Sequence, residues 1–280
     1  MSLNSIITNN GAIIALQTLN ATSTQLQATQ KQIATGYRVS DAIDDGAAFS
    51  VAQRVRSDVG SLTSANQQLG GASGLLGVTV KSLTSISNTL SDARQVLVKL
   101  ADTNVIGAER TEYQAQYKSD LAKVKANIQD TSYNGKTLIG DITGSAGAFG
   151  GASVIRNEVG ATYGVASFSG SAFFTSVNFS SLTSTAAKAA ITATGTFLNQ
   201  SSAITAQLSA YGAAANYVTG QQTFNNDKID ALTSGLGSLI DADLTKESAQ
   251  LQSLQVRQQL ATQSLSIANQ APQSLLSLFK

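Results

Sequence analysis

Neither the thirty residues from Met1 to Gln30 nor the 22 from Gln258 to Phe279 carry a charge, yet both stretches are amphipathic at helical spacing. A helix on the surface of a soluble monomer normally turns Lys, Glu, Arg and Asp to water, because solvated charge keeps a surface from sticking. Here the polar faces are only Gln, Ser, Thr and Asn. Such helices are suited to packing on more than one side. The ends of the chain therefore predict burial against each other and against further copies or partners.

Composition supports this reading and removes most chemistry. Charged residues make up 12% of the 280, about half the usual share, and Ser, Thr, Asn and Gln account for 103. The net charge of +1 argues against a phosphate-neutralising nucleic-acid surface. The chain has no Cys, His or Trp. That excludes thiol catalysis, disulfides, zinc sites with N or S ligands and His-based acid–base work. No cofactor is expected, and no enzymatic role. No apolar run reaches the roughly 18 residues that a membrane span needs. The first charge is Lys31, so the N-terminus lacks a basic n-region, and any export is expected without a cleaved signal peptide.

Periodicity then divides the chain. A first helix is expected over about Ser5–Thr35. Its seam is Ala12, Leu16, Leu19, Ser23, Leu26, Gln30, Ile33 and Tyr37, ended by Gly36 as a left-handed stop. Ser40 or Asp41 is expected to cap the next helix, with Asp44 and Asp45 in its first turn. That second helix spans about Ala42–Ala101 despite Gly70, Gly71, Gly74 and Gly77, each costing about 1 kcal/mol against Ala. Its seam continues on both sides of them (Leu62, Ala65, Leu69, then Leu83, Ile86, Leu90), which points to one long helix packed closely on a neighbour. A third helix, about Ala108–Asp130, presents Tyr113, Tyr117, Leu121, Val124 and Ile128 on one face. Tyr133-Asn134-Gly135-Lys136 reads as a hairpin turn, giving a β-hairpin near 133–140.

Residues 142–182 change character, with seven of the 23 Gly, five of the nine Phe and only Arg156 and Glu158 charged. This predicts a small β-rich excursion built from Ala152–Ile155, Tyr163–Phe168 and Ala172–Phe179, too aromatic for a linker. Helix returns over about Thr185–Leu232 on a seam through Leu208, Tyr211, Ala215, Val218, Gln222 and Asn225. Ser234–Gly237 is expected to break it. A last helix, about Asp243–Ala271, carries Leu251, Leu254, Gln258, Ala261, Leu265 and Ala268, and Pro272 is expected to kink or end it. The fold class is mainly α: a long antiparallel helical rod with coiled-coil pairing of the N- and C-terminal helices.

At this point the sequence resembles a known family, bacterial flagellin. In Ile33-Ala34-Thr35-Gly36-Tyr37-Arg38-Val39-Ser40-Asp41-Ala42-Ile43-Asp44-Asp45-Gly46-Ala47-Ala48, the residues Gly36, Arg38, Ala42, Asp44, Asp45 and Ala47 match its N-terminal pattern. Gln32 replaces the usual Arg, and Arg54 follows where the family has Arg. The ending from Ala268 through Asn269, Pro272, Leu275, Leu276 and Leu278 to Lys280 resembles the family's terminus. Asp241, Asp243 and Glu247 follow its acidic pattern upstream.

The resemblance implies a structural subunit, exported unfolded and self-assembled into a hollow helical filament for swimming, hence extracellular. Implied partners are further copies, other flagellins, an export chaperone, and the filament cap and hook-associated proteins; neither nucleic acid nor membrane is expected. The implied domains are 1–38 with 236–280 as inner tube, 39–141 with 183–235 as a helical rod, and 142–182 as a short outer segment. Packing positions would be Leu16, Leu19, Leu26, Ile33, Leu251, Leu254, Ala261, Leu265, Ala268, Leu275, Leu276 and Leu278. The alternative is a hook–filament junction protein, which shares the terminal helices.

Sharper readings of the acids are weak. Asp44 and Asp45 are adjacent on a predicted helix and point about 100° apart, so they cannot face each other across a substrate. Asp241, Asp243 and Glu247 lack the further oxygens that a calcium ion needs. The Ser and Thr of the outer segment are candidate carriers of O-linked sugar.

Overall fold

The computed structural model describes residues 8–277, and the surroundings of side chains through Gln270. Contacts divide the chain into two compact units, one gathering the chain up to Ser57 and from Ala231 onward, the other Asp58–Asp230.

The second unit is organised by helix α2, Gly46–Ala101. From Leu62 one buried seam runs Leu62, Ala65, Leu69, Ala72, Leu76, Thr79, Leu83, Ile86, Leu90, Ala93, Leu97 and Leu100, with Leu75 and Val96 buried beside it. That is an unbroken alternation of three and four residues, which keeps one face of a helix on one seam. The four glycines do not interrupt it. Helix α3, Gly107–Asp130, adds Tyr117, Leu121, Val124 and Ile128 to the same core. Helix α6, Thr196–Ile240, adds Ile204, Tyr211 and Val218. Each fully buried Leu or Ile contributes about 1.5–3 kcal/mol of apolar transfer, which outweighs four helical glycines at about 1 kcal/mol each.

Gly74 shows what one glycine is for. A Cβ there would lie 2.5 Å from Cζ of Tyr133, whereas one on Gly71 would meet nothing within 4 Å. We therefore expect opposite signs from the same substitution. Gly71→Ala raises the melting temperature through about 1 kcal/mol of helix propensity. Gly74→Ala lowers it, because overpacking costs about 1–3 kcal/mol. Thermal unfolding by circular dichroism checks both; a Gly74→Ala chain as stable as Gly71→Ala would mean Tyr133 is not held on α2.

Tyr133 and Lys136 do bracket a tight turn, with Asn134 and Gly135 both at positive φ (48° and 73°). The ladder goes no further as a hairpin. Strand β1, Lys136–Thr137, pairs in parallel with β2, Ala148–Phe149. A true antiparallel hairpin follows: β3, Ala152–Ile155, against β4, Thr162–Val165.

The third β-prone piece is instead helix α4, Gly170–Val177. The Ser169 hydroxyl accepts the Ala172 N–H and caps it, and Asp141 accepts the Ser171 N–H at 2.6 Å. Phe173 and Val177, four residues apart, are its buried face; the period was 3.6 and not 2.

The next helix is also divided. Helix α5, Ser184–Ala190, ends before a turn in which Gly195 N–H donates to Thr192 O, and only then does α6 begin. Conversely, Ser234–Gly237 does not break α6, which runs on to Ile240. Leu236 and Ile240 there pack with Val39, Ala48, Phe49 and Ala52, and that small core holds the helix through its glycines.

In the first unit, α1, Asn10–Thr35, packs against α7, Leu244–Ser277. They are antiparallel: Asn9 Nδ2 donates to Ala268 O, while Tyr37 bridges Asp241 at the opposite ends. Helix α7 continues through Pro272 to Ser277. Proline removes one backbone hydrogen bond and crowds one carbonyl, which this helix absorbs near its end.

Candidate assembly surface and terminal junction

Along α7 the half-buried or buried positions are Leu251, Leu254, Gln258, Ala261, Leu265 and Ala268, the seam expected from spacing, and Leu254 and Ala261 are the most enclosed. Along α1 the seam is shifted at every second position. Ala12, Leu19, Leu26 and Ile33 face inward as expected, but Ala15, Thr22 and Thr29 stand where Leu16, Ser23 and Gln30 were placed. Thr22 and Thr29 are the buried residues of this helix, and the Thr22 hydroxyl donates to Thr18 O at 2.9 Å.

The shift leaves large apolar side chains outside. Leu16 is 48% exposed, Ile14 65% and Leu260 61%, and Ile13, Val256 and Ile267 are comparably bare. Both helices therefore have one apolar face used within the chain and another that the chain itself does not cover. Asn269 is exposed. Leu278 lies outside the described residues, as do the side chains of Pro272, Leu275 and Leu276.

The other motif residues gather where α1 ends and α7 begins. Gly36 takes the left-handed cap of α1, with φ 74°, and its carbonyl accepts the Ala242 N–H at 2.9 Å. The Arg38 and Val39 N–H groups donate to Ile240 O, and the Arg38 guanidinium donates to Leu239 O at 2.6 Å. Arg38 thereby satisfies carbonyls at the C-terminal end of α6, where positive charge also favours the helix dipole. The Arg56 guanidinium lies 5.8 Å from the Tyr37 ring centre. Asp243 caps α7 by accepting the Thr245 and Lys246 N–H groups. Asp241 takes part through its backbone, Glu247 is half-buried in the first turn of α7, and Arg54 is exposed on α2. No group of three acidic side chains converges among the described residues.

Asp44 and Asp45 have different tasks from those expected. The α2 cap is Asp45, whose Oδ1 accepts the Ala47 and Ala48 N–H groups at 3.0 Å. Asp44 lies in the turn before the helix. Its carboxylate receives Lys31 Nζ at 2.9 Å, the Ser40 N–H and hydroxyl at 2.9 Å, and the Asp41 N–H at 3.2 Å. Lys31 also donates to Asp41 at 2.6 Å. Ser40 and Asp41 thus shape this turn and do not start α2. Residue-by-residue reading missed Lys31, although it is the first charge in the chain and stands ten residues before Asp41.

The Lys31 hydrogen bond, then those from Ser40, hold the Asp44 carboxyl far below the usual carboxylate range. The same ammonium lowers Asp41, and its bonds to Asp41 and Asp44 raise Lys31. Depressed carboxyls contribute stability that is present above their unfolded pKa near 4 and lost as pH falls through the folded value. A raised lysine contributes stability that is present below its unfolded pKa near 10.4 and lost as pH rises through the folded value. With no His in the chain, we expect this junction to be indifferent to pH from about 5 to 9. Lys31→Met should move the Asp44 carboxyl titration, followed by carbon NMR, up towards the ordinary range. An unmoved Asp44 would show that Lys31 is not its partner in solution.

Comparison with known proteins gives this geometry a context. The profile for the bacterial flagellin N-terminal helical region matches residues 6–143, and that for the C-terminal helical region matches residues 191–279. Flagellin FljM of Caulobacter vibrioides is 32% identical over 280 residues, covering 100% of both chains. Flagellin FljK of the same organism is 33% identical, again covering 100% of both. A flagellin of Brucella melitensis is 31% identical, covering 99% of each. Similarity to flagellins over the full length does not favour the junction-protein alternative. With both end regions matched and the whole length aligned, the chain belongs to the bacterial flagellin family, the structural subunits of the flagellar filament.

Proposed function

We propose that α1 and α7 form the inner wall of the filament and that their uncovered apolar faces are the contacts between subunits. The observation that carries this reading is Ile13, Ile14 and Leu16 together with Val256, Leu260 and Ile267, all bare on helices whose outer faces are almost free of charge. A face of this kind gains by meeting another copy. A membrane surface would instead call for Lys and Arg on the polar side.

In the same reading, residues 1–38 with 236–280 make the tube, residues 39–141 with 183–235 the surrounding layer, and residues 142–182 the outermost part. Leu19, Leu26, Ile33, Leu251, Leu254, Ala261, Leu265 and Ala268 hold the terminal pair, while Leu16, Leu275, Leu276 and Leu278 serve neighbours. The subunit is exported unfolded, escorted by a chaperone, and added beneath a cap protein beyond the hook-associated proteins. The filament is extracellular and admits other flagellins. The terminal helices order on assembly, because lone helices of this length with few charge pairs are marginal in water.

Seeded polymerisation of the full chain beside residues 39–235, followed by negative-stain microscopy, tests this. We expect long uniform filaments from the full chain and none from the trimmed one. Seeds that elongate with the trimmed chain would overturn the assignment of assembly to α1 and α7.

A further inference from the structure

We propose that Asn134–Gly135 is a self-modifying site, at which the backbone nitrogen of Gly135 attacks the side-chain amide of Asn134 and the turn matures to an isoaspartyl linkage. Both residues are exposed. The turn is closed by Tyr133 N–H donating to Lys136 O at 2.9 Å and Lys136 N–H donating to Tyr133 O at 3.0 Å, and Gly135 O accepts the Ala148 N–H at 2.8 Å. Gly135's own N–H has no acceptor among the described residues. The nucleophile is thus free of the bond that would hold it in place.

Asn134 is the one non-glycine at positive φ among the described residues. Asn tolerates this left-handed position better than most residues, so the turn holds the Asn134 side chain next to a glycine nitrogen without other support. Opening costs little, since β1 is only two residues long. Once open, Gly135 has no Cβ to block approach of its nitrogen to the Asn134 side-chain Cγ. Asn104, Asn127 and Asn178 precede Val105, Ile128 and Phe179, whose branched or aromatic bulk hinders that approach. Asn10–Gly11 repeats the pair but lies in the first turn of α1, next to the Asn9 cap.

The step balances with water alone. Base removes the Gly135 amide proton, the N–Cγ bond forms, and the Cγ–Nδ2 bond breaks as ammonia leaves with a proton. Water then opens the cyclic imide at either carbonyl, giving an aspartyl or an isoaspartyl residue with one new negative charge beside Lys136. The isoaspartyl product adds a methylene to the backbone of a two-residue turn. Tyr133 and Lys136 then fall out of register, and the Tyr133 ring leaves its seat on Gly74. That ring borders a cleft of about 320 Å³ with Gln68, Leu75 and Lys136, which the modification opens.

The test is a time course on the full chain at mildly alkaline pH, read by peptide mapping with isoaspartate-specific enzymatic methylation. Conversion should concentrate at position 134, rise in proportion to hydroxide, and be absent from that peptide in Asn134→Gly, which keeps the turn. Conversion at position 134 no faster than at Asn104 or Asn178 would overturn the site. The aged chain should also melt at a lower temperature while Asn134→Asp melts with the unmodified chain. An equal drop in Asn134→Asp would overturn the undocking of Tyr133, because the charge alone would then account for it.

Discussion

Ile14→Asp combined with Leu260→Asp is expected to stop filament growth while leaving the folded core of the single chain unchanged. Both side chains are more than half bare in the isolated subunit, at 65% and 61%, so intramolecular packing hardly registers their loss. In a polymer every subunit repeats the defect. Each new carboxylate must be taken from water into an apolar contact with no cation at hand, which costs several kcal/mol per site. A factor of ten per 1.4 kcal/mol carries the critical concentration beyond any practical protein concentration. Light scattering after addition of seeds is the measurement, with thermal unfolding as the control for folding. Elongation at the native rate would mean that these faces stay solvated in the filament.

The second large effect concerns folding of the middle of the chain. Arg110 is expected to be among the least replaceable charged residues. Its guanidinium donates to Val105 O at 2.9 Å, Leu182 O at 2.8 Å, Leu100 O at 2.8 Å and Asp102 O at 3.1 Å. It thereby closes the turn from α2 to α3, neutralises carbonyls at the end of α2 and ties down the strap before α5. Arg110→Met keeps the aliphatic stem and leaves half-buried carbonyls unmatched. Hydrogen bonds to charged groups contribute about 1.5–3 kcal/mol each net of solvent; Arg110 is only half-buried, so water recovers part of the set and we expect a loss of about 3 kcal/mol. For a unit of this size that corresponds to roughly 6–12 °C in melting temperature. Arg110→Lys should recover only part, since an ammonium cannot reach carbonyls in four directions. A melting temperature within two degrees of the native value would show that solvent serves those carbonyls equally well.

The helical frame was legible wherever apolar periodicity was long. The seam of α2 continues on both sides of its glycines, and persistence over many turns was a better guide than propensity at Gly70–Gly77. The faces of α3 and α6 were read correctly for the same reason. Short elements were not. Residues 172–179 are rich in Phe and Val, which suit either a strand or a buried helix, and the Ser169 cap with Asp141 behind it decided for helix. Pro272 and Ser234–Gly237 read as stops, yet tertiary contact or position near a helix end overrode them.

At the terminal junction, Gly36 announces itself as a helix stop and Asp243 as an acid at a helix start, whereas Arg38 is marked only by the family pattern. Sequence could not give the pairing of Lys31 with Asp44, which depends on the chain turning back at Gly36. Nor could it choose between Leu16 and Ala15 for the inner seam, because both spacings are helical. That choice is made by packing against α7, which a single helix's spacing does not contain.

The junction itself is largely a backbone device: Tyr37 bridged to Asp241, Arg38 and Val39 donating to Ile240 O, and Ala242 donating to Gly36 O. It ties together residues some two hundred apart and makes a closed loop of everything between them. Closing such a loop depends on its length only logarithmically, so doubling the enclosed chain costs about 0.6 kcal/mol. Evolution is thus free to lengthen, shorten or replace the interior without renegotiating how the two ends meet, and a peptide or domain spliced between β3 and β4 inherits that freedom.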